Sequence, residues 1–240
     1  MLVSHGSAFL KGLVPLYHFI WPRQKFEFYF SSMEGGRIVE DPKEWMNTLI
    51  LNGVRRLSLV FYHFEELHSR EIRFTNSYGI EVEYPTHLEL WFRKRFNRKG
   101  QSRHFFEAAP VEKSWREKEC NLEIISSQLG EAMQKLIDFC HSHAPDWDPG
   151  FEQVLRYLIS SIPENYKFNN LIPSEVYPQG AKKLLLASLS AQNPVGEEIP
   201  FGPADYPIFP ELEQKQYDAL RRESKQIALI GELAAINSIN

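Results

Sequence analysis

The chain holds only two cysteines in 240 residues, Cys120 and Cys140. If both lie on one helix they are about 30 Å apart at ~1.5 Å of rise per residue, too far to be bridged within the chain. That excludes a disulfide scaffold and points to a reducing, cytoplasmic setting. Long apolar runs are missing too. The N-terminal stretch "MLVSHGSAFLKGLVPLYHFIWP" is interrupted by His5, Lys11, Pro15 and His18 and is followed by no small-residue cleavage pattern, so it reads as neither signal peptide nor membrane span. There is no Asn-x-Ser/Thr acceptor and no basic excess: the net charge is −4 and the sequence pI near 6.1, so general attraction to phosphate is not built into the whole molecule. Equally absent are G-x-S-x-G, G-x-x-x-x-G-K-[ST], G-x-G-x-x-G, H-E-x-x-H and C-x-x-C. The chain therefore carries no standard signature of a nucleotide, dinucleotide or zinc enzyme, and no cofactor is expected.

What is present is an ordinary globular composition, 43% hydrophobic and 24% charged, which excludes wholesale disorder. From residue 24 to about 108 the apolar residues alternate. "KFEFYF" sets Phe26, Phe28 and Phe30 on one face, and the alternation returns at Leu57, Leu59 and Phe61, at Ile72 and Phe74, at Ile80, Val82 and Tyr84, and at Leu88, Leu90 and Phe92. These read as half-buried strands, and short turn-like connections between them imply antiparallel neighbours. Between the first two, "EDPKEWMNTLILNG" carries helix punctuation: Asp41 as N-cap, Pro42 at the first helical position and Gly53 just past the end.

After Pro110 the period becomes helical, with Leu122, Ile125, Leu129, Met133, Leu136 and Cys140 forming a stripe. Further helices are expected over about 150–161, 179–191 and 211–236, with prolines falling between them. Strands first and helices second predict an α+β fold: an N-terminal antiparallel meander sheet with one crossing helix, then a C-terminal helical half packed on the sheet. Residues 1–240 read as a single domain, mainly β over 1–109 and mainly α over 110–240.

Three clusters are candidate sites. In "CHSHAPDWDPGF", Cys140, His141, His143, Asp146 and Asp148 are all metal-type ligands within nine positions. On a helix, however, His141 is rotated by about 100° from Cys140 and His143 by about 300°. The preferred reading is a helix end, with the histidines in the last turn, Ala144-Pro145 as the stop and Asp148-Pro149 opening the next helix. A metal-assisted hydrolase there is the alternative. "FYHFEELHSREIRF" offers His63, Glu65, Glu66 and His68 as an acid/base group, but such residues in a hairpin ordinarily form a solvated rim. "RKRFNRKGQSRHFF" holds Arg93, Lys94, Arg95, Arg98, Lys99 and Arg103 among phenylalanines. It reads as a solvated hairpin, with nucleic-acid binding as the alternative.

The C-terminal segment, "AKKLLLASLSA" followed by "EQKQYDALRRESKQIALIGELAAIN", resembles the end of a family of uncharacterised bacterial proteins through Tyr217, Leu220, Ser224 and Asn237, with Gly196-Glu197-Glu198 where that family has a Gly-Trp-type turn. The overall profile, acidic, aromatic-rich, α+β and without catalytic motifs, is similar to bacterial toxin-immunity proteins. That resemblance implies a non-enzymatic cytoplasmic inhibitor whose partner is a protein, such as a basic toxin domain, rather than membrane or nucleic acid. Its contacts are expected at Asp146, Trp147 and Asp148, with Glu65, Glu66 and His68 second.

Overall fold

The computed structural model describes residues 2–15, 26–30, 37–62, 77–98, 101–114, 121–145, 150–160, 171–173, 175–192, 207 and 209–239. The chain falls into two compact units. One comprises Met1–Lys118, Asn170–Val176 and Ile239–Asn240; the other comprises Glu119–Asn169 and Tyr177–Ser238. The class is α+β, with the sheet in the N-terminal part and helices in the C-terminal part.

The first unit contains α1 (Leu2–Leu10), β1 (Phe26–Phe30), β2 (Arg37–Val39), α2 (Pro42–Leu51), β3 (Arg56–Tyr62), β4 (Ser77–Glu83), β5 (Leu88–Arg98) and β6 (Gln101–Val111). The strands form one six-stranded sheet in the order β2-β1-β6-β5-β4-β3. β3 to β6 make the expected antiparallel meander. β1 departs from it by pairing parallel to β6, with Phe28 opposite Phe106, so the first strand joins the last and the sheet is mixed. Periodicity along one strand carries no information about which distant strand lies beside it.

α2 forms for the reasons its punctuation suggested. The Asp41 side chain accepts from Lys43 N at 2.8 Å, Pro42 opens the helix, and Gly53 takes φ +79° beyond its end. α2 delivers Trp45 to the sheet, where it stacks on Phe28 at 4.8 Å between ring centroids and meets Trp91 edge-on at 5.7 Å. α1 was not foreseen as a helix. It is short and almost wholly buried, and Ser7 Oγ donates to Leu57 O at 3.1 Å while Ser4 Oγ donates to Leu171 O.

The half-buried reading of the strands needs correction. Leu90 and Phe92 pack with Val60 on one face, against Ala109 and Val111. Trp91 and Ile80 are buried on the other, as is Leu57. Gly79 to Val82 are buried at both parities, whereas Leu59 and Phe61 are only partly covered. A strand covered on both faces loses the contrast between its two parities.

The second unit consists of α3 (Leu122–His143), α4 (Phe151–Ile159), α5 (Gln179–Gln192) and α6 (Glu211–Asn237). α3 starts at an Asn121 cap whose side chain accepts from Glu123 N and Ile124 N, and it buries Ile125, Leu129, Met133, Leu136 and Cys140. Cys120, expected on the same helix as Cys140, lies outside the described residues. α4 opens differently from expectation: its N-cap is Gly150 at φ +75°, with no side-chain cap, in place of Asp148-Pro149. Among the described residues no helix is long and apolar enough to cross a membrane.

Candidate functional site

Where the meander's strands begin and end, an open cavity of about 580 Å³ forms in the first unit. The register builds it. Arg56 of β3 lies opposite Glu83 of β4, Glu83 opposite Leu88 of β5, and Leu88 opposite Val111 of β6, so four strands contribute one row of side chains. Glu81 sits two residues before Glu83 on the same face of β4. The β4–β5 connection is closed by Tyr84 N donating to His87 O at 3.0 Å, around Pro85 and Thr86. Beyond β6 the chain supplies Glu112 and Ser114.

Among the described residues, three carboxylates, Glu81, Glu83 and Glu112, thus line the cavity with one guanidinium, Arg56. Glu83 Oε2 and Arg56 Nε are 3.6 Å apart, and both side chains are about a third exposed, so this pair orients more than it stabilises. Glu81 is different: it is 4% exposed, and its Oε1 accepts from Ser114 Oγ at 2.7 Å. A carboxylate so far from bulk water is held in one geometry, and in a partly dry setting it attracts a cation more strongly than a surface carboxylate does.

A second layer stands on the other face of the same strands. Glu89 accepts from Trp91 Nε1 at 3.1 Å and from Tyr84 OH at 3.3 Å, and lies 3.7 Å from His87 Nε2. The His87 ring stacks on Tyr84 at 4.5 Å. Burial, then the charge of Glu89, then the hydrogen bond to it, hold the Tyr84 phenol well above its ordinary range, so it stays a neutral donor. This layer fixes the turn that carries Thr86 and His87 to the cavity wall.

The sequence-predicted ligands of α3 do not converge. Cys140 is 2% exposed within the helical unit, and burial pushes its thiol up to about 11. His141 Nε2 points to Glu152 Oε1 at 3.8 Å. His143 Nδ1 lies 2.9 Å from Phe139 O, and its ring stacks on Phe139. Ala144 N closes the helix on Cys140 O at 2.7 Å. Asp146, Trp147 and Asp148 lie outside the described residues, as do Glu65, Glu66, His68 and Lys99. Arg93, Lys94, Arg95 and Arg98 fall in β5 and Arg103 in β6. Among the described residues no group of three His, Cys, Asp or Glu side chains could hold a metal ion.

Sequence reasoning passed over Glu81, Glu83 and Glu112. A signal was available in "GIEVEY", where two glutamates alternate with Ile80 and Val82. No family model matches the chain, and no curated protein or solved structure matches it.

Proposed function

We propose that this chain is a non-catalytic, cytoplasmic protein-binding module, an immunity-type inhibitor that occludes a cognate bacterial toxin by receiving basic side chains in the Glu81–Glu83–Glu112 cavity. The observation that carries this reading is an open cavity lined, among the described residues, by three acids to one arginine, with the Glu81 carboxylate braced by Ser114. An arginine or lysine of the partner entering there meets the more exposed Glu83 and Glu112 carboxylates, with Glu81 adding fixed negative charge behind them. The chain's net charge of −4 adds long-range attraction for a basic partner and raises the encounter rate at low salt. Asp146, Trp147 and Asp148, with Glu65, Glu66 and His68, belong to the same proposal as further contacts, the tryptophan being the anchor type that interfaces favour.

The test is purification of the tagged full chain from its native host, beside a Glu83→Lys/Glu112→Lys variant. A stoichiometric basic protein that accompanies the parent and is lost from the folded variant supports the reading. A chain that remains partnerless and turns over a substrate rejects it.

A further inference from the structure

His87 stands in a turn, yet its ring is held in place. Its Nδ1 lies 3.2 Å from Thr86 Oγ1 and its Nε2 3.7 Å from Glu89 Oε1, while one face of the ring stacks on Tyr84 at 4.5 Å between centroids and 13° between planes. Behind it, Tyr84 is 5% exposed and donates to Glu89, which also accepts from Trp91 Nε1. The imidazole is therefore fixed at its edges and on one face. Even so, 51% of the His87 side chain remains accessible and the residue lines the acidic cavity, so the surface left open is the face turned away from Tyr84. Register sets carboxylates beside it. Leu88 lies opposite Glu83 of β4 and Val111 of β6, so His87, one residue earlier, comes at the strand ends with Tyr84 following Glu83 on one side and Glu112 following Val111 on the other.

Given a cavity that receives a basic side chain of a protein partner, as proposed above, we infer that this side chain is an arginine, which His87 selects by stacking against the guanidinium while Glu83 and Glu112 accept from its N–H groups. A guanidinium is planar, so it covers an aromatic face and still directs its donors outward, in its own plane, to carboxylates at the rim. An ammonium is compact and strongly hydrated, and gains less from a ring it cannot lie flat upon. The cavity wall already holds one guanidinium, Arg56, whose Nε is 3.6 Å from Glu83 Oε2. His87 is thus a specificity residue, whereas the acids supply an attraction that either cation feels.

The experiment is NMR titration of the full chain in low-salt buffer with acetyl-Gly-Arg-Gly-amide and with its lysine counterpart. The arginine peptide should bind about fivefold more tightly, its Cδ protons shifted upfield by the ring. His87→Asn removes the ring and should bring the affinities of the peptides together and abolish the upfield shift, while His87→Phe should retain both. Glu112→Gln should instead weaken both peptides alike, by about threefold, and leave their ratio unchanged. Were His87→Asn to lose its fold, intermolecular NOEs between the His87 ring protons and the arginine Cδ protons in the parent decide instead, their absence rejecting the stack. Equal affinities in the parent, or an arginine preference that persists in folded His87→Asn, would overturn the inference and leave the acidic cavity as a receiver of either cation. Absence of binding by both peptides, or binding that Glu112→Gln does not weaken, would overturn it together with the cavity reading.

Discussion

Ser114 and Glu81, 33 residues apart in sequence, meet at the cavity, where the Ser114 hydroxyl donates to Glu81 Oε1 at 2.7 Å. Ser114 is exposed and Glu81 is not, so the bond ties the segment after β6 to a carboxylate in the middle of β4. Ser114→Ala is expected to lower unfolding free energy by about 1 kcal/mol in urea titration. Glu81→Gln should keep the fold and still lose most of the protein partner's affinity, as read by surface-plasmon titration. Full retention of affinity would remove Glu81 from the binding site.

Arg221 caps a helix other than its own. It is 6% exposed; its Nη1 donates to Ala191 O at 2.7 Å and its Nη2 to Gln192 O at 3.3 Å, at the carbonyl end of α5, and its guanidinium lies 5.4 Å from the centre of the Phe151 ring. A cation there meets two carbonyl acceptors, the negative helix end and an aromatic face. Arg221→Met should cost about 3 kcal/mol in urea unfolding. Arg221→Lys should recover less than half of that, since one ammonium does not span both carbonyls and cover the ring. Equal stability of the lysine variant and the parent would show that charge alone matters.

Gly231 lets α6 approach α5. A Cβ at this position would fall on Ser188 Oγ and lie 3.0 Å from Leu184 Cδ1. Gly231→Ala should therefore destabilise by about 1–3 kcal/mol, even though alanine is the better helix former by about 1 kcal/mol. Ser188 Oγ is buried with no hydrogen-bond partner among the described residues, so Ser188→Ala should be close to neutral. Combining the two should return part of the loss, a non-additivity that a double-mutant cycle measures. Strict additivity would mean that Leu184, not Ser188, sets the approach.

Cys140 sets a pH dependence. Its thiol moves from 9.0 to about 11 because burial disfavours the thiolate. The folded state thus holds this proton after the unfolded chain releases it. Its contribution is complete below pH 9.0 and is lost as pH rises through about 11. Urea midpoints should fall over that interval, and fall less in Cys140→Ala. At pH 8 iodoacetamide should leave the Cys140 peptide unmodified in native protein and alkylate it in denaturant, read by mass spectrometry. Rapid native alkylation would show the thiol to be open to solvent.

Legibility in the sequence followed the range of the interaction responsible. α2 was readable from Asp41, Pro42 and Gly53 because capping acts over three or four residues. α5 and α6 lie within a residue or so of their expected bounds, since proline and helical periodicity are also local. α1 was missed because its buried side chains include polar ones, Ser4 and Ser7, whose hydroxyls donate to Leu171 O and Leu57 O far along the chain. Gly150 outcompeted Asp148 at the start of α4 through a left-handed backbone turn that composition does not reveal. The cavity was the least readable feature. Arg56, Glu81, Glu112 and Ser114 are each unremarkable in sequence and become neighbours only through the pairing of four strands.

By itself the sequence determined the class of this protein: alternation set the strands, helical periodicity set the helices, and the lack of long apolar runs and of common catalytic signatures narrowed what it could do. Those properties depend on neighbours a few positions apart. Only the tertiary structure decided that β1 lies beside β6, that β4 and β5 bury residues of both parities, and that Glu81 is withdrawn from water beside Ser114. Each of these is a contact between distant residues, selected by the burial of whole faces at once, and no local stretch encodes it.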